Sequence, residues 1–274
     1  MPRKTKRAAP TKPSRAVTAR LEKDTLAYAA ALNGFISRSE QSIISYYVPH
    51  GGALDSFDPL DTTFEEFSAW YATFDAFMRA ESGVEFVLET AKKRWLQSIM
   101  QTLGVSTIDL LKDPAIGVPF NNAVTAYMGY FERYGADTMQ RLKNAAMKNF
   151  TGQRVPEGSL QNYIKKLYAG NIKRAKFAAA EINATYTATF SRLRSQSIGC
   201  RTYDWMTAGD RLVVGAGVWP PSPSHGNHYL RAGRTYSYEH KHHDGHPGEA
   251  IGCRCMALPN VPTSPSDLTN LAFV

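Results

Sequence analysis

The sequence has little cysteine, no long apolar run and, over its first twenty positions, no acidic residue. Three cysteines in 274 residues, Cys200, Cys253 and Cys255, are too few for a disulfide scaffold, so each thiol is expected to be a structural group or a metal ligand. No uninterrupted apolar stretch reaches the roughly 18 to 20 residues that span a bilayer, and no apolar segment follows the basic residues at the start. The chain therefore reads as soluble, unsecreted and without a membrane partner. Several enzyme signatures are missing too: no G-x-S-x-G elbow, no G-x-x-x-x-G-K-[ST] phosphate loop, no G-x-G-x-x-G opening a helix and no H-E-x-x-H.

What is present is an ordinary globular balance, 43% hydrophobic and 20% charged residues, in a chain long enough for one large or two modest domains. The net charge of +8 is unevenly placed. Arg3, Lys4, Lys6, Arg7, Lys12, Arg15 and Arg20 give +7 within the first twenty residues. Residues 38–90 carry a net −8, and residues 91–201 a net +11. Prolines and an absence of large apolar side chains mark residues 1–20 as a disordered basic arm. Its readings are a solubilising tail, a targeting segment and a contact with the phosphate backbone of double-stranded DNA, where each cation gains by releasing condensed counterions.

Residues 21–199 read as a helical body. Phe64, Phe67, Tyr71, Phe74 and Met78 recur at helical spacing behind an N-cap signal at Asp61-Thr62-Thr63. Val84, Val87, Ala91, Trp95, Ile99 and Leu103 make a second stripe, ended by Gly104. A longer helix is expected over residues 121–150, and a short one over 159–168 stopped by Gly170. Ile172, Ala175, Ala179, Ile182, Tyr186, Phe190 and Leu193 form the clearest stripe of all. After Gly199 the helical period stops. Residues 200–260 then read as a small, mixed, loop-rich module, with short strands over 201–207, 211–214, 235–238 and 255–258, and 261–274 as an extended tail. The expected class is α+β, a predominantly helical body with this module at its C-terminal side.

Six of the seven histidines lie between His225 and His246, and Cys253 and Cys255 follow within ten residues. Imidazole and thiolate are the preferred ligands of zinc, and four of them can fold a module too small to build its own core. Cys253, Cys255, His228 and His246 are the candidate set. The competing readings are two buried free cysteines beside a solvated histidine loop, or a metal-dependent nuclease built on the run His240 to Asp244, with His242 as its test residue. Lys165, Lys166, Lys173, Arg174 and Lys176, interleaved with Tyr163 and Phe177, are either a nucleic-acid surface or a solvated helical face.

In order along the chain, Arg174 to Glu181 is an arginine-alanine start with an alanine-rich turn ending in glutamate. Trp205, Thr207, Asp210 and Arg211 follow, then His228, Leu230 and Gly233, then Pro247-Gly248, and finally Cys253-Arg254-Cys255 with Met256, Leu258 and Pro259. This string resembles the phage head-morphogenesis or minor head protein family, typified by the F protein of phage Mu. It covers about a third of the chain, and the Gly/Pro/Ser-rich stretch between Arg211 and His228 is longer than the family's. The resemblance implies Trp205, Asp210 and Arg211 as module core. It also implies a low-copy, non-enzymatic minor capsid component at the portal vertex of the virion, contacting portal or major capsid subunits and sometimes DNA. The other class of reading is a metal-dependent nuclease or a toxin-like enzyme using the C-terminal His/Cys cluster.

Overall fold

A computed structural model describes residues 4–47, 59–80, 84–110, 117–223 and 226–273. The protein is α+β and dominated by helices: α1 (Arg15–Tyr47), α2 (Pro59–Ala80), α3 (Val84–Leu103), α4 (Gly117–Phe150) and α5 (Leu160–Ser197). The strands are short: β1 (Thr5–Arg7), β2 (Ile108–Leu110), β3 (Thr202–Met206), β4 (Thr235–Ser237), β5 (Met256–Pro262) and β6 (Leu271–Phe273). One four-stranded antiparallel sheet has the order β1-β5-β3-β4, and β2 pairs with β6 in a second, two-stranded one. No described helix is long and apolar enough to cross a membrane.

The chain divides into two compact units, one of residues 1–18, 85–123 and 181–274, the other of residues 19–84 and 124–180. The boundary expected at 199/200 thus falls inside the first unit, which draws in α3, the C-terminal half of α5 and the N-terminal segment.

The all-helical unit is held by aromatic packing. Tyr28, Phe67, Tyr71, Phe74 and Phe131 are buried, and the Tyr28 and Phe131 rings lie 4.9 Å apart. Buried phenols need acceptors. Tyr28 donates to the Phe131 carbonyl at 2.7 Å, and Tyr71 donates to that of Met128. Gly135 lets α4 come this close, since a Cβ there would sit 2.1 Å from Phe67 Cζ and 2.6 Å from Tyr28 Oη. The stripe Phe67, Tyr71, Phe74 and Met78 is buried as its spacing predicts. The N-cap expected at Asp61-Thr62-Thr63 is not seen in that form: α2 already begins at Pro59, and those side chains lie outside the described set. A proline suits the first helical position, where its missing N–H is no loss.

Gly170 does not stop a helix: α5 runs unbroken through it. A glycine inside a helix costs only about 1 kcal/mol relative to alanine. The next residue offsets that, because buried Asn171 accepts from Tyr134 Oη at 2.8 Å and donates to Asn33 Oδ1 at 2.7 Å. Ile172, counted in the buried stripe, is 43% exposed, while Ala175, Ala179, Ile182, Tyr186 and Phe190 are buried.

In the other unit, Trp95 and Ile99 of α3, Phe190 and Ile198 of α5, Tyr203 and Trp205 of β3 and Val261 of β5 share one core. The segment expected to be a disordered arm is ordered from residue 4 onward. Its β1 pairs with β5, Thr5 opposite Pro262, and Ala8, Thr11, Ser14 and Val17 are buried. Composition misleads here because backbone groups, together with the small apolar side chains of Ala8 and Val17, anchor the segment. Ser98 donates to the Ala9 carbonyl at 2.7 Å, Arg94 to that of Lys12 at 2.8 Å and Asn183 to that of Ser14 at 2.8 Å. The expected strand over 211–214 is a run of turns, and the expected tail contributes β6.

Candidate metal centre

Three segments converge beneath β3. The one-turn helix α6 (His228–Arg231) is capped by Asn227, whose side chain accepts from the Leu230 N–H at 3.0 Å. His228 and Arg231, three residues apart, lie on the same side of that turn. Both reach Asp244: His228 Nε2 lies 2.7 Å from Oδ2, and Arg231 Nη1 donates to both carboxylate oxygens at 2.9 Å. The Asp244 side chain is 2% exposed, so it is a buried anion neutralised by two partners. Burial alone raises its pKa. The hydrogen bonds from His228 and Arg231 outweigh that and hold the carboxyl below its usual range.

With Nε2 committed to Asp244, Nδ1 of His228 faces the third segment. Cys253 Sγ lies 3.6 Å and Cys255 Sγ 3.5 Å from it, and the three ligand atoms all fall within 4.8 Å of one another. All three residues are buried. Cys255 directly precedes β5, where Ala257 pairs with Trp205, and the Trp205 ring stands 5.3 Å from that of His228. The turn before Cys253 depends on Gly248, whose φ of +83° is left-handed and where a Cβ would come within 2.9 Å of Ala188 Cβ. The Gly248 N–H donates to Cys253 Sγ at 3.4 Å. On the other flank, the carboxylate of Glu181 accepts from the Gly252 N–H.

The thiols share a proton unequally. The hydrogen bond from Cys255 and the nearby His228 draw the Cys253 pKa down against its burial, and the same hydrogen bond together with burial drives Cys255 up. Burial works to lower His228, but Cys253 and Asp244 outweigh it and its pKa rises. A metal cation entering the group competes with protons for these three ligand atoms. His228, Cys253 and Cys255 therefore form a buried donor group able to hold a metal ion.

His246 does not join them. Its Nδ1 is 3.2 Å from Tyr203 Oη, its backbone N–H donates to Glu249 Oε2 at 3.2 Å, and burial lowers its pKa. Nor does the His240 to Asp244 run form a cluster of ligands. His242 packs edge-on to Trp205 and Tyr236 with centroids 5.6 and 4.8 Å away, and Asp244 serves His228. His225 lies outside the described residues. Cys200 is a core thiol pushed up to about 12 by burial. The sequence gives no periodic signal for Asp244 or Arg231 as partners of His228; only the Asn227 cap before a short turn marks the place.

Of the expected module core, only Trp205 is buried. Asp210 and Arg211 are at the surface, where charged groups keep their hydration. Asp210 there pairs with Arg254, Nη1 to Oδ2 at 2.7 Å. Among the expected phosphate contacts, Arg3 lies outside the described residues, and Lys4, Lys6, Arg7, Lys12, Arg15 and Arg20 are exposed. Arg7 is engaged with Asp204. On α5, Lys165 and Lys173 are exposed, Lys166 pairs with Glu157, Lys176 lies 3.3 Å from Glu22, and Arg174 stands 5.7 Å over the Tyr134 ring. Part of the α5 charge is thus already matched within the protein.

No protein-family model matches the chain, and no curated protein or solved structure matches it.

Proposed function

We propose that the chain is a non-enzymatic minor capsid or head-morphogenesis protein of a tailed phage, seated at the portal vertex and contacting double-stranded DNA, with a C-terminal module braced by zinc. The observation that carries this reading is the convergence in space of the pieces that made up the family resemblance. Trp205 meets His228, Asp210 meets Arg254 and Gly248 meets Cys253, across separations of up to 44 positions.

The zinc reading rests on geometry. Tetrahedral zinc, with bonds of about 2.3 Å to sulfur and 2.0–2.1 Å to nitrogen, separates those two atoms by about 3.5–3.6 Å. The sulfur-to-Nδ1 distances are 3.5 and 3.6 Å. Bound there, zinc would tie α6 to the segment before β5, with His228, Cys253 and Cys255 as ligands and Asp244 orienting the imidazole.

The test incubates the purified full chain with plasmid DNA and divalent metal over a salt series. The expected result is retarded, intact DNA, with retardation fading as salt rises. Metal-dependent cleavage that disappears in His242→Ala replaces this reading with the nuclease one. Localisation in intact particles checks the rest: absence from the portal vertex defeats the assignment.

A further inference from the structure

We infer that a metal held by His228, Cys253 and Cys255 keeps its fourth coordination position open to a small anionic donor, which reaches it through the cavity lipped by Leu212 and Ile251. This rests on the metal reading above and adds a ligand to it.

A closed structural zinc site uses four protein ligands, whereas three protein ligands leave a position for an outside donor. Among the described residues the donor group has three members. Two other candidate ligands among the described residues are engaged elsewhere. Asp244 lies on the Nε2 side of the His228 ring, opposite the nitrogen that faces the sulfurs, and holds Arg231 as well. His246 is turned to Tyr203.

A cavity of about 50 Å³ touches His228, Cys253 and Cys255 at once. That admits a water or an anion of a few heavy atoms and no large ligand. Leu212, Val213 and Val214 wall it on one side and Ile251 on another. Such apolar walls keep the local dielectric low, so an anion near the metal gains more than it would in bulk water. Access is provided at the lip, where Leu212 is 52% and Ile251 64% exposed, whereas Val213 behind them is buried. Arg254 and Asp244 also line the cavity, each with its charge already matched, Arg254 by Asp210 and Asp244 by His228 and Arg231.

The test uses the full chain loaded with cobalt(II), whose visible ligand-field bands report its ligands, and azide as the probe. The expected result is cobalt bands of tetrahedral intensity that shift saturably as azide is added. Leu212→Glu, an exposed substitution compatible with folding, should leave the azide-free bands unchanged and weaken azide binding roughly five-fold or more by placing a carboxylate at the lip. Strong bands indifferent to azide mean a closed site and overturn this inference while leaving the metal reading standing. Azide affinity unchanged in Leu212→Glu overturns the proposed route. Failure to develop cobalt bands at all overturns the metal reading, and the inference with it.

Discussion

Asp244 Oδ2 lies 2.7 Å from His228 Nε2, and this contact decides which way the imidazole faces. A ring anchored at one nitrogen presents the other in a fixed direction, and here that direction is toward two sulfurs. The acid, 16 residues from the histidine it orients, governs the site without belonging to the donor group.

Asp244→Ala should therefore weaken metal binding about 10- to 100-fold, the usual effect of removing a group that orients a ligand. Competition against a chromophoric chelator measures it. An affinity equal to that of the unaltered protein would mean that the carboxylate serves Arg231 alone.

Chelation should lower the melting temperature, because an ion that binds only the folded form stabilises it by about 4 kcal/mol at a thousand times its dissociation constant. Cys253→Ser and Cys255→Ser should melt low with or without chelator. Less than one metal equivalent after mild purification, together with a melting curve that ignores chelator, would remove the brace.

Lys4 and Lys6 are exposed on the ordered N-terminal segment, whereas Lys166 and Lys176 already face Glu157 and Glu22. Replacing the first pair with glutamine should reduce the slope of log affinity for DNA against log salt by about 0.9 per lysine. The second pair should change it less. An unaltered slope for the first pair takes the N-terminal segment out of the DNA contact.

Gly135→Ala should destabilise the helical unit by about 1–3 kcal/mol, because the new methyl meets Phe67 and Tyr28 in a filled core. Urea denaturation reads this directly. A neutral result would mean that α4 shifts freely away from α1 and α2.

Asp204 is buried, which by itself raises its pKa, but Thr235, Asn260 and Arg7 outweigh this and the net shift is downward. A lowered carboxyl pKa contributes stability above the ordinary carboxylate range that disappears as pH falls through the folded-state value. Asp204→Asn should therefore destabilise the protein at neutral pH, with the gap to the unaltered chain closing in acid. A constant gap across the series would show that charge is not what Asp204 contributes.

The long helices were legible because a stripe of apolar residues every three or four positions has one simple explanation, and α3 ends at Gly104 as its sequence indicates. β1 was not legible: Thr5, Lys6 and Arg7 carry no apolar alternation, and their place is set by backbone pairing with a strand 255 residues away. The donor group was half legible. Composition selects every histidine and cysteine between 225 and 255, but only folding distinguishes His228, oriented by a carboxylate, from His246, held by a phenol. Gly170 misled for a related reason, since the polar contacts of Asn171 outweigh a local propensity that sequence shows in isolation.

The pairing of β1 with β5 also bears on how the protein is made. Residues 19–84 and 124–180 are synthesised, as a unit, before β5 is. The unit containing β1 has to wait for its last third, so its first strand emerges early and stays without its partner until β5 is synthesised. During that interval a short basic strand has its pairing groups open to whatever lies nearby, and the sheet closes only once β5 has emerged.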